Sequence, residues 1–227
     1  MTAIPVSDAA EGKAPEQAVS RGRARGPLGG LLRAVPFLLA GGLTFLAFFP
    51  GHANGDTGGI YLEATGHLPV DNWHPTMNIV IIYSLLQLWD SPAVVLAFQC
   101  LLLWGGLAMS AIAIGRRSSF PAALFFIPIG FLPVVFNYMG VLIKDSLSAG
   151  FTLVAIGLLL FERDATKGRR TFLLVAVVFL WFAYMVKYPA LPIVMALFTY
   201  AAARWFHGRS RSFVLAATGV VAAVALI

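Results

Sequence analysis

Cysteine and charge are what this sequence has least of. Its 227 residues include a single cysteine, Cys100, so no internal disulfide can form, and no CxxC or Cys/His spacing offers a structural zinc site. Charged side chains make up 11% of the chain, less than half the roughly 25% of soluble domains, whereas 59% of residues are hydrophobic and the mean hydropathy is +0.83. Disulfide scaffolds, zinc modules and ordinary soluble domains are thereby excluded. A chain of this balance is an integral membrane protein.

The net charge of +6 does not indicate nucleic acid, because the cations are spread over the gaps between apolar runs and form no phosphate-binding groove. Lys13, Arg21, Arg23, Arg25 and Arg33 precede or open the first run. Arg116 and Arg117, the stretch 163–170 and the stretch 204–211 carry nearly all the others. This is a topology signal.

Residues 1–30 are rich in Ala, Gly, Ser, Pro and charge and poor in large apolar side chains, which predicts a disordered basic tail. Residues 31–227 read as an all-α, polytopic transmembrane helix bundle. A span needs about 20 apolar residues at about 1.5 Å rise each. The predicted spans are 31–49, 92–114, 120–138, 146–161, 171–185, 191–203 and 213 to the end, seven in all, with 78–89 as a short interfacial or re-entrant helix. Residues 50–77 are the one long polar loop, and three of the four histidines lie in it. With a cytoplasmic amino terminus, 14 of the 16 basic residues fall on the inner side, and Lys144 and Lys187 alone remain outside. Five acids, Asp56, Glu63, Asp71, Asp90 and Asp145, share that outer face with them.

Ionisable groups close to hydrocarbon are costly and tend to mark a site or to pair with one another. Asp56 lies in HANGDTGGIY, where the glycines let backbone approach a ligand. Its carboxylate is a candidate general base, and also a candidate ligand for a hydrated divalent cation. His52, His67 and His74 are spaced by 15 and 7, which does not match a helical zinc pair. In DNWHPTMN, Asp71 and His74 stand just ahead of an apolar helix that Pro75 can open. As plain structure, this string is a turn and a helix start. In KDSLSAGF, Asp145 with Ser146 is a candidate helix cap, and Lys144 either snorkels or binds an anion. Lys187 and Tyr188 in VKYPAL follow fifteen apolar residues and precede Pro189. They serve either as an interfacial anchor or as a cation for a lipid-linked phosphate.

The order of these strings resembles the integral-membrane glycosyltransferases of the C superfamily, which use polyprenyl-phosphate-linked sugars, as do the dolichyl-phosphate-mannose protein mannosyltransferases and their bacterial relatives. The matching features are a first span ending in FFPG, HANGDTGGIYLEATG in the first outer loop, DNWHP opening a short helix, KDSLSAGF at the second outer turn and VKYPAL at the third. The resemblance covers residues 34–204. It implies a multi-pass protein of a bacterial plasma membrane that transfers a sugar to an acceptor hydroxyl of unknown identity on the extracytoplasmic face. Asp56 is then the catalytic base, and Asp71, His74, Lys144, Asp145, Lys187 and Tyr188 bind substrate. No cofactor is required by this reading, and a divalent cation is compatible with it. Relatives often have two adjacent acids in the first loop, where Thr57 and Gly58 follow Asp56 here. Relatives are also longer, so a fragment or a short homologue is expected. The alternative is a non-catalytic membrane protein, either a lipid-carrier translocase or a complex subunit. A transporter places polar groups at mid-depth in repeated halves, and neither feature is visible in the sequence.

Overall fold

A computed structural model describes residues 27–71, 73–165 and 168–206. Most of the tail and the span predicted from residue 213 lie outside the described residues. Those described build helices α1 (Pro27–Phe48), α2 (Gly55–Ala64), α3 (Thr76–Leu86) and α4 (Ala93–Gly115). Then come α5 (Phe120–Ala123), α6 (Phe126–Gly130), α7 (Pro133–Gly140), α8 (Lys144–Glu162), α9 (Arg169–Val186), a 3₁₀ turn at Tyr188–Ala190 and α10 (Leu191–Trp205). Among them, four helices are long and apolar enough to cross a bilayer: α1 from Gly29 onward, α4, α8 and α9.

The predicted continuous span over 120–138 is instead the three short helices α5, α6 and α7. Proline is the reason. Neither Pro128 nor Pro133 can donate to a helical ladder. Pro133 also leaves Leu132 ahead of it out of the helical region, and Pro128 falls in the first turn of α6, where Leu124 O accepts instead from Ile127 N at 2.9 Å. The next helix then restarts with Pro133 in its first turn. The predicted interfacial helix is present as α3 and is eleven residues long.

Helix α4 is the central column, and α8 and α1 pack along it. Glycine permits the close approach of α4 to α8. A Cβ on Gly106 would lie 2.6 Å from the Leu153 Cβ, and one on Gly157 would lie 2.6 Å from the Met109 Cβ. Small residues at such crossings are how membrane helices gain packing without a hydrophobic drive. Helix α1 offers α4 a stripe of Phe37, Ala40 and Thr44, all buried, while Leu31, Leu38, Leu39, Leu43 and Leu46 stay exposed. The hydroxyl of Thr44 donates to Ala40 O at 2.8 Å and accepts from Trp104 Nε1 at 3.0 Å, so both polar atoms are satisfied inside the apolar contact.

The two ends of the bundle differ in chemistry. At one end the Glu162 side chain is fully buried and paired with Arg169 and with Arg204 Nη2 at 3.1 Å. This ties together the start of α9 and the ends of α8 and α10. Nearby, Arg117 Nε meets Asp164 at 3.0 Å. At the other end lie the last turns of α1 and α9 and the first turns of α4 and α8. The 19 residues of α8 separate the two ends by about 28 Å, close to the roughly 30 Å of a hydrocarbon core.

Candidate functional site

The site at the Lys144 end begins with a short backbone zipper. After α1 the chain reverses at Gly51, whose φ of +108° suits a residue without a Cβ. His52 N then donates to Gly140 O at 3.0 Å, and Leu142 N donates to His52 O at 2.9 Å. These bonds lay the exit of α1 beside the strand-like link between α7 and α8. Thr57 continues the attachment, since its hydroxyl donates to Leu142 O. Asn54 caps α2, its Oδ1 accepting from Thr57 N at 2.8 Å.

This zipper places Asp56, in the first turn of α2, against Lys144, the first residue of α8. Their atoms are 3.1 Å apart, and Lys144 Nζ is also 3.3 Å from His74 Nδ1. A cation at a helix amino terminus opposes the helix dipole, and the Asp56 carboxylate offsets that cost. The hydrogen bond from the Lys144 ammonium, followed by its charge, holds the Asp56 carboxyl below the usual carboxylate range.

One residue on, Asp145 pairs with Lys187, which follows the end of α9. Asp145 and Ser146 do not cap α8 as the sequence predicts. The N-cap position is Ile143, and no side chain caps it. The helix starts ahead of them at Lys144, so both lie inside its first turn, where Asp145 pairs with Lys187 and the Ser146 hydroxyl donates to Tyr138 O at 2.6 Å. The structure thus joins Lys144 to Asp56 and His74, and separately pairs Asp145 with Lys187, so five of the seven predicted residues make these contacts. Asp71 and Tyr188 stand outside these ion pairs. Asp71 is exposed and accepts from Trp73 N at 2.8 Å, while the Tyr188 ring lies 5.6 Å from that of Tyr184.

Two buried amides are missed by the sequence pattern, and so is the burial of a third polar group, Glu63. Asn78 donates from Nδ2 to Pro75 O at 3.1 Å and to Val186 O at 2.9 Å, which staples the start of α3 to the end of α9. Gln99 donates to Met139 O at 2.7 Å and to Val141 O at 2.9 Å. Each is a lone amide in an apolar helix, a signal that marks burial and names no partner. Glu63 is buried two turns along α2 from Asp56, and its Oε2 has no partner.

Asp56 faces an ammonium and an imidazole, a donor set that does not suit a divalent ion, because Lys144 already supplies the positive charge. Among the described residues, no three His, Cys, Asp or Glu side chains gather as metal ligands. Beside Asp145 lies an apolar cavity of about 260 Å³ between α4, α7 and α8, lined by Leu103, Val134, Val135, Tyr138 and Ala149 among others.

No family model, characterised protein or solved structure matches the chain.

Proposed function

We propose that this protein is a membrane glycosyltransferase that moves a sugar from a polyprenyl-phosphate donor to an acceptor hydroxyl on the extracytoplasmic face. The observation that carries this reading is convergence. The first loop with Asp56 and His74, the α8 start and the α9 end are three separated stretches of sequence, yet their ionisable side chains lie at one end of the bundle. A fold that needed only solvated loops has no reason to gather them. The C-superfamily order of motifs places its base and its phosphate-binding cations at the same positions.

In this chemistry Asp56 takes the proton of the acceptor hydroxyl. The resulting oxygen attacks the anomeric carbon and forms the new glycosidic bond. The bond from that carbon to the phosphate oxygen breaks, and the polyprenyl phosphate leaves with the electron pair. Lys144 and Lys187 stabilise the charge that develops on the leaving phosphate. The apolar cavity beside Asp145 suits the first isoprene units of the donor. Seven spans with a cytoplasmic amino terminus agree with the distribution of Lys and Arg.

The test is transfer from labelled polyprenyl-phosphate sugars by the full chain reconstituted in liposomes. Positioned proton transfer contributes about a hundredfold or more, so Asp56→Asn should lose at least that factor while remaining inserted and folded. Full transfer by Asp56→Asn would remove Asp56 as the base. A folded wild-type chain that transferred sugar from no donor would point to the non-catalytic alternative.

A further inference from the structure

We infer that Asp56 and Asp145 are built-in competitors for the anion site, each carboxylate neutralising the lysine that an incoming phosphate monoester must use. This rests on the reading that Lys144 and Lys187 bind the donor phosphate, and it goes on to state how that site is regulated.

The geometry leads there directly. A site evolved only to hold an anion would present its two cations free, with a charge of +2. Here Lys144 meets Asp56 at 3.1 Å and Lys187 meets Asp145, so each cation is already neutralised by its own carboxylate. A phosphate arriving at the resting site finds no net attraction until a carboxylate gives way. The pairs are suited to giving way. The Asp56 side chain is 53% exposed and that of Lys144 is 23% exposed, and ion pairs open to water are weak and readily exchanged. A phosphate offers the ammonium up to three acceptor oxygens and more charge than one carboxylate, so it is the stronger partner.

Exchange at Lys144 has a chemical consequence. The charged and titratable groups that face Asp56 are Lys144 from α8 and His74 from the segment ahead of α3. While Lys144 holds Asp56, the carboxylate is a weak base. Once the ammonium turns to phosphate, Asp56 regains basicity and mobility. The base is thus armed only when the donor is in place, which sets the order of binding and keeps Asp56 from acting on an empty site.

The experiment titrates farnesyl phosphate, farnesol and inorganic phosphate onto the full chain in neutral-lipid nanodiscs, at fixed pH and salt. Wild type should bind farnesyl phosphate in preference to farnesol, and inorganic phosphate should compete weakly. Asp56→Asn should bind farnesyl phosphate more tightly, by about two- to fivefold, the factor that corresponds to an exposed ion pair. The gain should vanish in the Asp56→Asn/Lys144→Gln double variant when it is compared with Lys144→Gln alone. Asp90→Asn removes an equal charge from an exposed position ahead of α4 and should leave the affinity unchanged. Unchanged or weaker binding by Asp56→Asn, or an equal gain from Asp90→Asn, would overturn the competition while leaving phosphate binding intact. If wild type binds farnesol as well as farnesyl phosphate, the phosphate site itself falls, and the competition falls with it.

Discussion

Lys144 is the residue on which the chemistry of its end of the bundle turns, because it touches Asp56 and His74 and adjoins the Asp145–Lys187 pair in sequence. Its ammonium lowers the carboxyl of Asp56, so the small stability that this pair contributes is present above the ordinary carboxylate range. That contribution is lost as pH falls through the depressed folded value. In Lys144→Gln the titration of Asp56 should move up toward the ordinary carboxylate range. Isotope-edited infrared spectroscopy of the carboxyl band, with Asp56→Asn as the blank, would read the shift. A titration that did not move would mean that the pair contributes nothing in solution. Asn78 lends itself to a separate prediction. Its amide satisfies two buried carbonyls, Pro75 O and Val186 O, and Asn78→Leu should cost about 1–3 kcal/mol, measured as a loss of thermal stability in detergent. Charge was the legible part of this site. Four scarce ionisable residues on one predicted face form two ion pairs, with His74 beside Lys144, because charges close to hydrocarbon tend to pair with one another. Asp71 stands apart from these pairs because an acid ahead of a helix is equally suited to a local turn, and it accepts from the Trp73 amide. Asn78 and Gln99 were silent because an amide's partner is set by tertiary approach.

Among the helices, composition located the apolar runs well, and local backbone chemistry decided their continuity. The runs that became α1, α4, α8 and α9 were expected as spans. The run over 120–138 has the same apolar character, yet it is broken into short helices, with Pro128 in the first turn of α6 and Pro133 opening α7. Hydropathy averaged over a window does not register a missing amide hydrogen, so the break was visible only residue by residue. Pro36, by contrast, is accommodated within α1. The α4–α8 crossing supplies the sharpest test at this scale. Gly106→Leu would press a branched side chain into the backbone around Leu153 and Val154. Overpacking of this kind costs about 1–3 kcal/mol or more. Gly105→Leu, one position away where a Cβ meets nothing within 4 Å, should be tolerated. Thermal unfolding of the two variants in the same detergent would compare them, and equal stabilities would count against the close crossing.

Across the whole molecule, the functional candidates and the structural anchors lie at opposite ends of α8. The Lys144 end holds exposed, exchangeable pairs, while the other end holds Glu162 with no side-chain exposure, shared between Arg169 and Arg204. The positive-inside pattern marked these arginines as topology anchors. It did not reveal that a buried acid gathers two of them, because a rule that counts cations passes over a single Glu at the end of an apolar run. The difference in burial predicts a difference in response. Removing one member of an exposed pair leaves a solvated charge behind, whereas Glu162→Gln strands two guanidinium groups around a neutral amide. Breaking a buried pair costs about 3–5 kcal/mol, and the outward-facing parts of Arg169 and Arg204 place the expected loss near the lower figure. Asp56→Asn should therefore abolish transfer with little change in unfolding temperature. Glu162→Gln should lower the unfolding temperature sharply, while the fraction of chain that stays folded retains its affinity for farnesyl phosphate. Binding and thermal unfolding measured on both variants in the same nanodiscs separate the two roles. A Glu162→Gln chain as stable as wild type would show that the arginines hold α8, α9 and α10 together without the buried carboxylate.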